Sequence, residues 1–230
     1  MKAPNATDFL AERGWLARTP TKFRKEVLAR IRLREFAKGE TVYHAGDPPG
    51  GLWVIINGAL ELEMPRAETA PTLVHFVSPG WWFGEWPLIN DAPRRVTATA
   101  IRQSTLATLP LPDCHAILKA DPSAWRWIAV LSSMTTDLSA GVVGDLMLRD
   151  PEKRTAALLL RLSGMRSGVS PCKEPFPIFL SQEKIGLLAN LSRNSVMPIL
   201  HDFAQRGCIR VDYGSIVITD AQALARTISL

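Results

Sequence analysis

The sequence predicts an α+β protein with three parts: an N-terminal β jelly-roll, a long helix and a C-terminal winged helix-turn-helix. Many short apolar segments separated by Gly, Pro and Asn turns predict the jelly-roll. A long stretch with one apolar stripe at helical spacing follows, and two short amphipathic helices with a hairpin after them lie near the C-terminus. We expect the three parts to span 1–120, 121–149 and 150–230.

Composition narrows the class of protein. Hydrophobic residues make up 47% of the 230 residues, enough for two packed cores, and the net charge of +5 is compatible with nucleic acid without requiring it. There is no apolar run long enough for a membrane span and no apolar signal segment, so we expect a cytoplasmic protein without membrane contact. We expect no metal site, because the three cysteines (Cys114, Cys172 and Cys208) and the four histidines are far apart in the sequence. We also expect no enzyme, because the sequence shows no pairing of a nucleophile with a base.

The region up to about residue 110 is predicted as helix first and β structure afterwards. Apolar residues at helical spacing predict helix up to about residue 35: Phe23, Val27, Leu28 and Ile31. The candidate strands that follow are Glu40–His44, Leu52–Asn57, Ala59–Met64, Thr72–Val77, Val96–Ile101 and Thr105–Leu109. Asn57-Gly58 lies between two of these strands and is the strongest hairpin signal in the chain.

One loop of this β region carries groups that could bind a phosphorylated sugar. Gly84-Glu85 is followed nine residues later by Arg94. The guanidinium would pair with the phosphate, backbone N–H groups near the glycine would assist, and the carboxylate would accept from a ribose hydroxyl. The alternative is an ion pair between Glu85 and Arg94 that closes the loop.

The long helix is predicted from Asp121-Pro122, which is typical of a helix start. Its apolar residues approximate a seven-residue repeat: Ile128, Leu131, Leu138 and Val142. This repeat predicts a dimer interface, and the alternative is a helix packed on its own barrel. Gly141 and Gly144 weaken the end of the helix, which favours either a hinge or a close helix contact.

Residues 181–207 predict a helix-turn-helix. Ser181 and Ser192 are candidate N-caps, and Asn190 suits a left-handed turn between the helices. The residues predicted to face DNA are Ser181, Gln182, Ser192, Arg193, Asn194, Ser195, Met197 and His201. Two short strands follow within Cys208–Thr219 and predict a wing, which favours a DNA-binding unit over an ordinary helical hairpin. The flanking predictions are helices at Glu152–Leu162 and Asp220–Ser229 and a loop at Ser163–Pro177.

The order of four motifs is similar to that of a known family. The motifs are Phe83-Gly84-Glu85, Pro93-Arg94, Asp150-Pro-Glu-Lys-Arg154 and Leu191-Ser-Arg-Asn-Ser-Val196. In this order the chain resembles the cyclic-AMP receptor protein/FNR (Crp/Fnr) superfamily of bacterial transcription regulators. The resemblance implies a homodimer with a cyclic-nucleotide-binding-like domain that senses an effector. It further implies binding to palindromic double-stranded DNA and contact with RNA polymerase.

The candidate effector pocket departs from the family pattern. Members that bind cyclic AMP have Gly-Glu and then Arg followed by Ser or Thr; Gly84, Glu85 and Arg94 match, but Arg95 replaces the small hydroxyl residue. We therefore expect poor binding of cyclic AMP, with Arg95 either closing the pocket against Glu85 or favouring a more anionic ligand. The resemblance places Ser139 where a nucleotide base would lie. The absence of cysteines before Cys114 argues against an iron–sulfur cluster.

Two alternatives to an effector-controlled regulator follow from these departures. One is a regulator without a ligand, its pocket closed by Arg95. The other is a ligand-binding module whose helical domain contacts protein rather than DNA. In the recognition helix, Asn194 and Pro198 stand where the family commonly has an acidic and a basic residue, so the family's usual half-site does not carry over.

Overall fold

The computed structural model describes residues 6–68, 70–166 and 175–229. The chain divides into two compact units, Met1–Thr135 and Thr136–Leu230. The boundary falls inside the long helix, so this helix is shared between the units rather than forming a separate part.

The first unit begins with three short helices: α1 Ala6–Glu12, α2 Gly14–Ala17 and α3 Thr21–Leu28. The prediction of helix up to residue 35 is wrong at its end, because Arg32–Phe36 forms strand β1. This strand lies at a sheet edge and only Phe36 is buried, so its polar residues conceal the alternation by which a strand is recognised.

Among the described residues of the first unit, eight strands form two four-stranded antiparallel sheets, which confirms the predicted jelly-roll. The other strands are β2 Thr41–Tyr43, β3 Gly51–Asn57, β4 Leu60–Met64, β5 Thr72–Val77, β6 Trp82–Phe83, β7 Thr97–Ala100 and β8 Ser104–Pro110. One sheet has the order β1-β8-β3-β6 and the other β2-β7-β4-β5. Strand β3 contributes alternate residues to two apolar clusters, which explains why it is almost continuously apolar.

The Asn57-Gly58 hairpin prediction is wrong. Strand β3 pairs with β6 and β8, whereas β4 pairs with β5 and β7, so the two residues carry the chain from one sheet to the other. Gly58 has φ +102°, and a Cβ there would lie 2.2 Å from the Ser104 Oγ. The glycine is needed for this close approach and for its left-handed backbone, not for a two-residue hairpin.

Helices complete the first unit: α4 Glu85–Asn90, α5 Leu111–Ala120 and, after a 3-10 turn at Pro122–Ala124, α6 Trp125–Leu146. Ile128 and Leu131 are 3% and 1% exposed and lie in the apolar cluster formed with the first sheet and helices α1 to α3. Their assignment to a dimer interface is therefore wrong, because the core of their own unit already covers them. Leu138 is buried and Val142 half-buried, so neither is well exposed for a partner.

The second unit confirms the predicted winged helix-turn-helix. Its elements are α7 Pro151–Leu162, α8 Gln182–Leu188, α9 Arg193–Gln205, β9 Ile209–Asp212, β10 Ser215–Ile218 and α10 Ala221–Ser229. Asp150 caps α7 by accepting from the Glu152 N–H at 2.8 Å. Most of the predicted loop at Ser163–Pro177 lies outside the described residues. Within the described ranges, no helix combines the length and the apolar character needed to cross a membrane.

A buried charge cluster joins the end of α6 to α7 within the second unit. Asp145 is 2% exposed and forms ion pairs with Arg161 and, at 2.6 Å, with Arg166. Burial lowers the pKa of Arg161 to about 10. The Asp145 carboxylate compensates the buried charge of Arg161, although it is shared with Arg166.

Candidate effector pocket and nucleic-acid interface

The candidate pocket forms where strand β6 turns into helix α4. Gly84 has φ +98° and makes this turn, which places Glu85 in the first turn of α4 with 5% exposure. A Cβ on Gly84 would lie 2.6 Å from the Arg94 Nη1 and 2.7 Å from the Gly51 carbonyl oxygen. The glycine therefore leaves the space in which the guanidinium approaches the backbone.

The Arg94 side chain is fixed by its neighbours, but not all of its hydrogen-bond donors have a partner. The residue is only 4% exposed. Its Nη2 donates to the Gly51 carbonyl at 2.9 Å, and its guanidinium carbon lies 4.4 Å from the centre of the Tyr43 ring. Backbone hydrogen bonds to Gly46 and Asp47, both 2.8 Å, fix the loop. The buried Nη1 has no hydrogen-bond partner among the described residues. Burial lowers the pKa of Arg94, although neighbouring groups oppose the shift.

Glu85 is also buried, and it does not neutralise Arg94. No ion pair joins these two residues in the described part of the chain, so the alternative of a loop closed by a Glu85–Arg94 bridge does not hold. Burial raises the pKa of Glu85, and hydrogen bonds from the backbone and from the Thr135 side chain partly offset that rise. Since Thr135 belongs to α6, the carboxylate already links the pocket to the long helix.

Arg95 does not close the pocket. Its side chain is exposed, and its guanidinium carbon lies 3.3 Å from the centre of the Trp86 ring. A stacked cation of this kind is stabilised on the ring face while it stays in contact with water. The predicted closure by pairing with Glu85 is therefore wrong.

The residues of the pocket fit an anionic group. A buried guanidinium nitrogen without a partner, beside a glycine that lets the backbone approach, can bind a phosphate by donating a hydrogen bond and by charge pairing. Ser139, predicted to meet a base, is exposed on α6 in the second unit, and its role in the pocket stays a prediction. Sequence reasoning missed Tyr43 and Thr135, because both reach the site from distant strands or helices and carry no local signal.

Metal-binding and thiol groups do not form a second site in the described part of the chain. Within residues 6–68, 70–166 and 175–229, no cluster of His, Cys, Asp and Glu could hold a metal ion. Cys114 is buried, which raises its pKa to about 11 and keeps it a thiol at neutral pH.

The turn of the helix-turn-helix is built by the predicted capping residues. The Ser181 Oγ accepts from the Lys184 N–H at 3.2 Å, and the Ser192 Oγ accepts from the Ser195 N–H at 3.1 Å. Asn190 has φ +52°, the left-handed conformation expected for the turn. These contacts confirm the local structure and leave the DNA contacts of Ser181, Ser192 and Ser195 as predictions.

One face of α9 is exposed to solvent, as predicted. It carries Arg193, Asn194, Met197, Pro198 and His201. Pro198 does not end the helix, which continues to Gln205. A shallow groove of about 690 Å³ runs beside this face and is lined mainly by Gln182, Asn194, Met197, Pro198, His201 and Val211.

Two arginines near the recognition helix and the wing are compensated by carboxylates of the same unit. Arg206 pairs with Glu152 at 2.6 Å and with Asp202 at 2.8 Å, and Arg210 pairs with Asp212 at 2.9 Å. Arg193, by contrast, has no hydrogen-bond or ion-pair partner in the part of the chain that the structure describes. It is therefore the cation of α9 that is free to contact a base or a phosphate.

Comparisons with known proteins agree with this architecture. A family model for a cyclic nucleotide-binding domain matches residues 33–121, and one for a Crp-like helix-turn-helix domain matches residues 153–227. The chain is 27% identical over 192 residues to a CRP-like cAMP-activated global transcriptional regulator of Mycobacterium tuberculosis, covering 84% of this chain and 86% of the relative.

Two further proteins are similar in sequence or in fold. A cyclic AMP receptor protein of Thermus thermophilus is 23% identical over 197 residues, covering 86% of this chain and 88% of the relative. The structure of FixK2 from Bradyrhizobium japonicum has a TM-score of 0.69 at 18% identity, with 85% of this chain and 96% of that chain covered. The Mycobacterium tuberculosis relative is named as a transcriptional regulator. With both domains matched in this order, the chain belongs to the Crp/Fnr superfamily of transcription regulators, with a helix-turn-helix domain for DNA.

Proposed function

We propose that this protein is a homodimer that binds a palindromic DNA site and is controlled by a phosphate-bearing effector in the Arg94 pocket. The observation that carries the effector half of the proposal is the buried Arg94 Nη1, which lacks a partner among the described residues and lies beside Gly84. The DNA half is supported by the exposed face of α9 and by Arg193, which the described residues leave unpaired. We expect this regulator to work in the cytoplasm, in contact with RNA polymerase.

We infer that the dimer interface lies on the exposed side of α6, opposite the residues predicted from sequence. Exposed residues follow one another at intervals of four and three along α6 and one residue past its end: Ala129, Ser133, Thr136, Ala140, Val143 and Met147. Val143 and Met147 are 60% and 76% exposed. A stripe of small and apolar residues with this period supports pairing with the same helix of a second copy.

Cysteine cross-linking tests this interface. In a parallel pair of helices, residues of the stripe meet their own copies, so Ala140→Cys should form a disulfide-linked dimer on mild oxidation. Asp137→Cys lies on the same helix beside the stripe and serves as the matched control. Equal cross-linking of both variants, or a wild-type protein that sediments as a monomer at micromolar concentration, would contradict the proposed seam.

The effector is proposed to bear phosphate, with cyclic AMP a poor candidate. Arg95 lacks the hydroxyl that cyclic-AMP-binding members provide beside the phosphate, although its side chain stacks on Trp86 rather than filling the pocket. Arg95→Ser should therefore improve calorimetric binding of cyclic AMP over the wild type. Tight binding of cyclic AMP by the wild type would contradict this part of the proposal.

The contact between Glu85 and Thr135 supports a route from the pocket to the dimer helix. A ribose hydroxyl that bonded to Glu85 would compete with the Thr135 side chain for the same carboxylate. Effector binding would then change a contact of α6 itself. The protein would then have two arrangements, one with Glu85 bonded to Thr135 and one with Glu85 bonded to the effector. The effector shifts the equilibrium between them only by the difference in its affinity for the two.

Selection from a random DNA pool tests the DNA half. A dimer should recover a palindrome whose half-site centres lie about one helical turn, roughly 34–36 Å, apart. Asn194→Ala should cost roughly 1–3 kcal/mol on that site and relax one position per half-site, because it removes a bidentate base contact. Gln182→Ala should weaken binding about equally on all sequences. Recovery of no palindrome, or of the same motif with Arg193 and Asn194 both changed to Ala, would contradict the proposed readout.

The neutralised arginines of the second unit favour a second candidate function, a module that binds protein. Arg206 and Arg210 are neutralised by neighbouring carboxylates, which reduces the attraction of the second unit for phosphates. A module whose helical domain contacts protein would show this compensation without any preferred DNA sequence. The same selection experiment separates the two functions.

A further inference from the structure

The chemistry of the groove beside α9 is neutral and mostly apolar. Met197, Pro198 and Val211 supply its apolar surface, and Gln182, Asn194 and His201 supply its polar groups. No Lys, Arg, Asp or Glu side chain is among these lining residues, which all lie in the described part of the chain. A surface that reads base edges from this groove would therefore do so with amide, imidazole and thioether groups.

Each base is contacted by different kinds of side chain in the major groove. Guanine is read mainly by Arg or Lys and cytosine by Asp or Glu, whereas adenine pairs with the amide of Asn or Gln and the thymine methyl group makes apolar contacts. Asp202, a carboxylate one residue beyond His201, already pairs with Arg206 at 2.8 Å. Arg193, at the start of the helix, is not among the lining residues. The chemical groups that do line the groove are those that contact A·T pairs.

We propose that this groove reads an A·T step in each half-site, with Asn194 bonded to adenine and Met197 in contact with a thymine C5 methyl group. The inference rests on the proposed DNA binding and specifies which bases the same surface prefers. It assigns specificity to Met197, whose apolar side chain has no hydrogen-bonding role.

The positions of the two residues on α9 suit neighbouring base pairs. Asn194 and Met197 are three residues apart, so they lie on one side of the helix about 4.5 Å apart along its axis. This separation is close to the spacing of about 3.4 Å between successive base pairs. Each residue can then meet a different pair of the same step.

Met197 is also free to make such a contact. It is 40% exposed, and its unbranched thioether side chain adapts to the shape of an apolar partner. Pro198, the next residue, has no N–H and adds an apolar ring to the same surface. The His201 ring, one turn further, is already hydrogen-bonded to the Gln205 side chain at 3.0 Å.

Uracil substitution tests the methyl contact directly. Full-length protein would be titrated, by fluorescence anisotropy, onto the selected duplex and onto duplexes in which each thymine in turn is replaced by deoxyuridine. This change removes only the C5 methyl group. Loss of one buried methyl corresponds to about a fourfold loss of affinity, and we expect it at one thymine per half-site.

The same titrations with the Met197→Ala variant test whether Met197 makes the methyl contact. The variant should bind the thymine duplex about fourfold or more weakly and should no longer distinguish thymine from uracil at that position. Leu187→Ala is the matched control, since Leu187 is a 62% exposed apolar residue of α8 outside the groove. It should keep the wild-type discrimination.

The outcomes separate this inference from the proposed function. Wild-type binding to a palindrome that is insensitive to uracil at every thymine would overturn the inference and leave DNA binding intact. A Met197→Ala variant that kept the full thymine preference would overturn the inference in the same way. Failure to bind any DNA would overturn both.

Discussion

Arg94 in the first unit and Arg161 in the second are both buried, at 4% and 8% exposure, yet their surroundings differ. Arg161 forms an ion pair with Asp145, which also accepts from Arg166 at 2.6 Å. Arg94 lies near the buried Glu85 without an ion pair between them, and its Nη1 lacks a partner among the described residues. Each arginine keeps one buried donor without a partner among the described residues, Nη1 in Arg94 and Nε in Arg161, but only Arg161 has gained a carboxylate.

The difference distinguishes a structural charge from one kept for a ligand. Burying a charge without a partner is unfavourable, and a protein retains such a group only when something else depends on it. Arg161 joins α6 to α7, so its pair stabilises the second unit. Arg94 is oriented by Gly51 and Tyr43 but left with an unused donor, and an anionic ligand would complete its hydrogen bonds.

Removing the carboxylate of the satisfied pair should have the largest effect. Asp145→Asn leaves Arg161 buried without a negative charge and should lower the free energy of unfolding by roughly 3–5 kcal/mol. Urea denaturation followed by far-UV circular dichroism measures this loss. Asp212→Asn breaks an exposed pair with Arg210 and should have little effect on the free energy of unfolding, because water and salt screen this pair. Equal losses in the two variants would show that the buried cluster is not special.

Filling the space beside Arg94 should have a smaller but clear effect. Gly84→Ala introduces a Cβ 2.7 Å from the Gly51 carbonyl oxygen at φ +98°, and the left-handed conformation alone costs about 1–2 kcal/mol. All seven tryptophans precede residue 136, so their fluorescence during urea denaturation reports on the first unit.

Gly141 provides the matched control for this glycine. A Cβ at Gly141, on α6, meets nothing within 4 Å, so Gly141→Ala should raise the free energy of unfolding by up to about 1 kcal/mol. Because Gly141 lies in the second unit, far-UV circular dichroism during urea denaturation measures this change. Destabilisation by Gly141→Ala would indicate a close helix contact at this point. An unchanged first unit in Gly84→Ala would mean that the pocket backbone is not constrained as described.

The pH dependence of Glu85 should give the smallest effect. Its pKa is raised by burial, so the folded state binds a proton more readily than the unfolded state. Its contribution to stability is therefore complete below the ordinary carboxyl pKa and is lost as the pH rises through the raised value. Glu85→Gln should gain stability relative to the wild type over that pH range, by tryptophan-monitored urea denaturation. A constant difference across pH would contradict the shift.

Local features of the chain were predicted well because they depend on neighbouring residues. The caps Ser181 and Ser192 and the left-handed Asn190 follow from side chains within one turn of their partners. Asp150 caps α7 through an equally local contact, but it was not predicted as a cap. The departure at Asn57-Gly58 is of another kind, since Gly58 allows a close approach to Ser104 far along the chain.

Side chains whose role depends on a distant partner were predicted poorly. Ile128 and Leu131 have the spacing of a dimer seam, but apolar spacing does not reveal which apolar surface covers it, and here the first unit's core does. Arg95 was expected against Glu85, and the Trp86 ring offered a surface that keeps the cation hydrated. For the same reason the orphan Nη1 of Arg94 could not be foreseen, because only the folded chain shows which partners are missing.

The most direct test of the contrast between the two arginines is the stability of Arg94→Met without any ligand. The substitution keeps much of the side-chain volume and removes a buried charge that has no carboxylate partner among the described residues. Tryptophan-monitored urea denaturation should give a free energy of unfolding equal to or higher than that of the wild type, since the variant removes a buried charge whose desolvation is not offset by a carboxylate. A loss of about 3 kcal/mol or more, comparable to that of Asp145→Asn, would show that Arg94 is a structural charge and would contradict its assignment to a ligand.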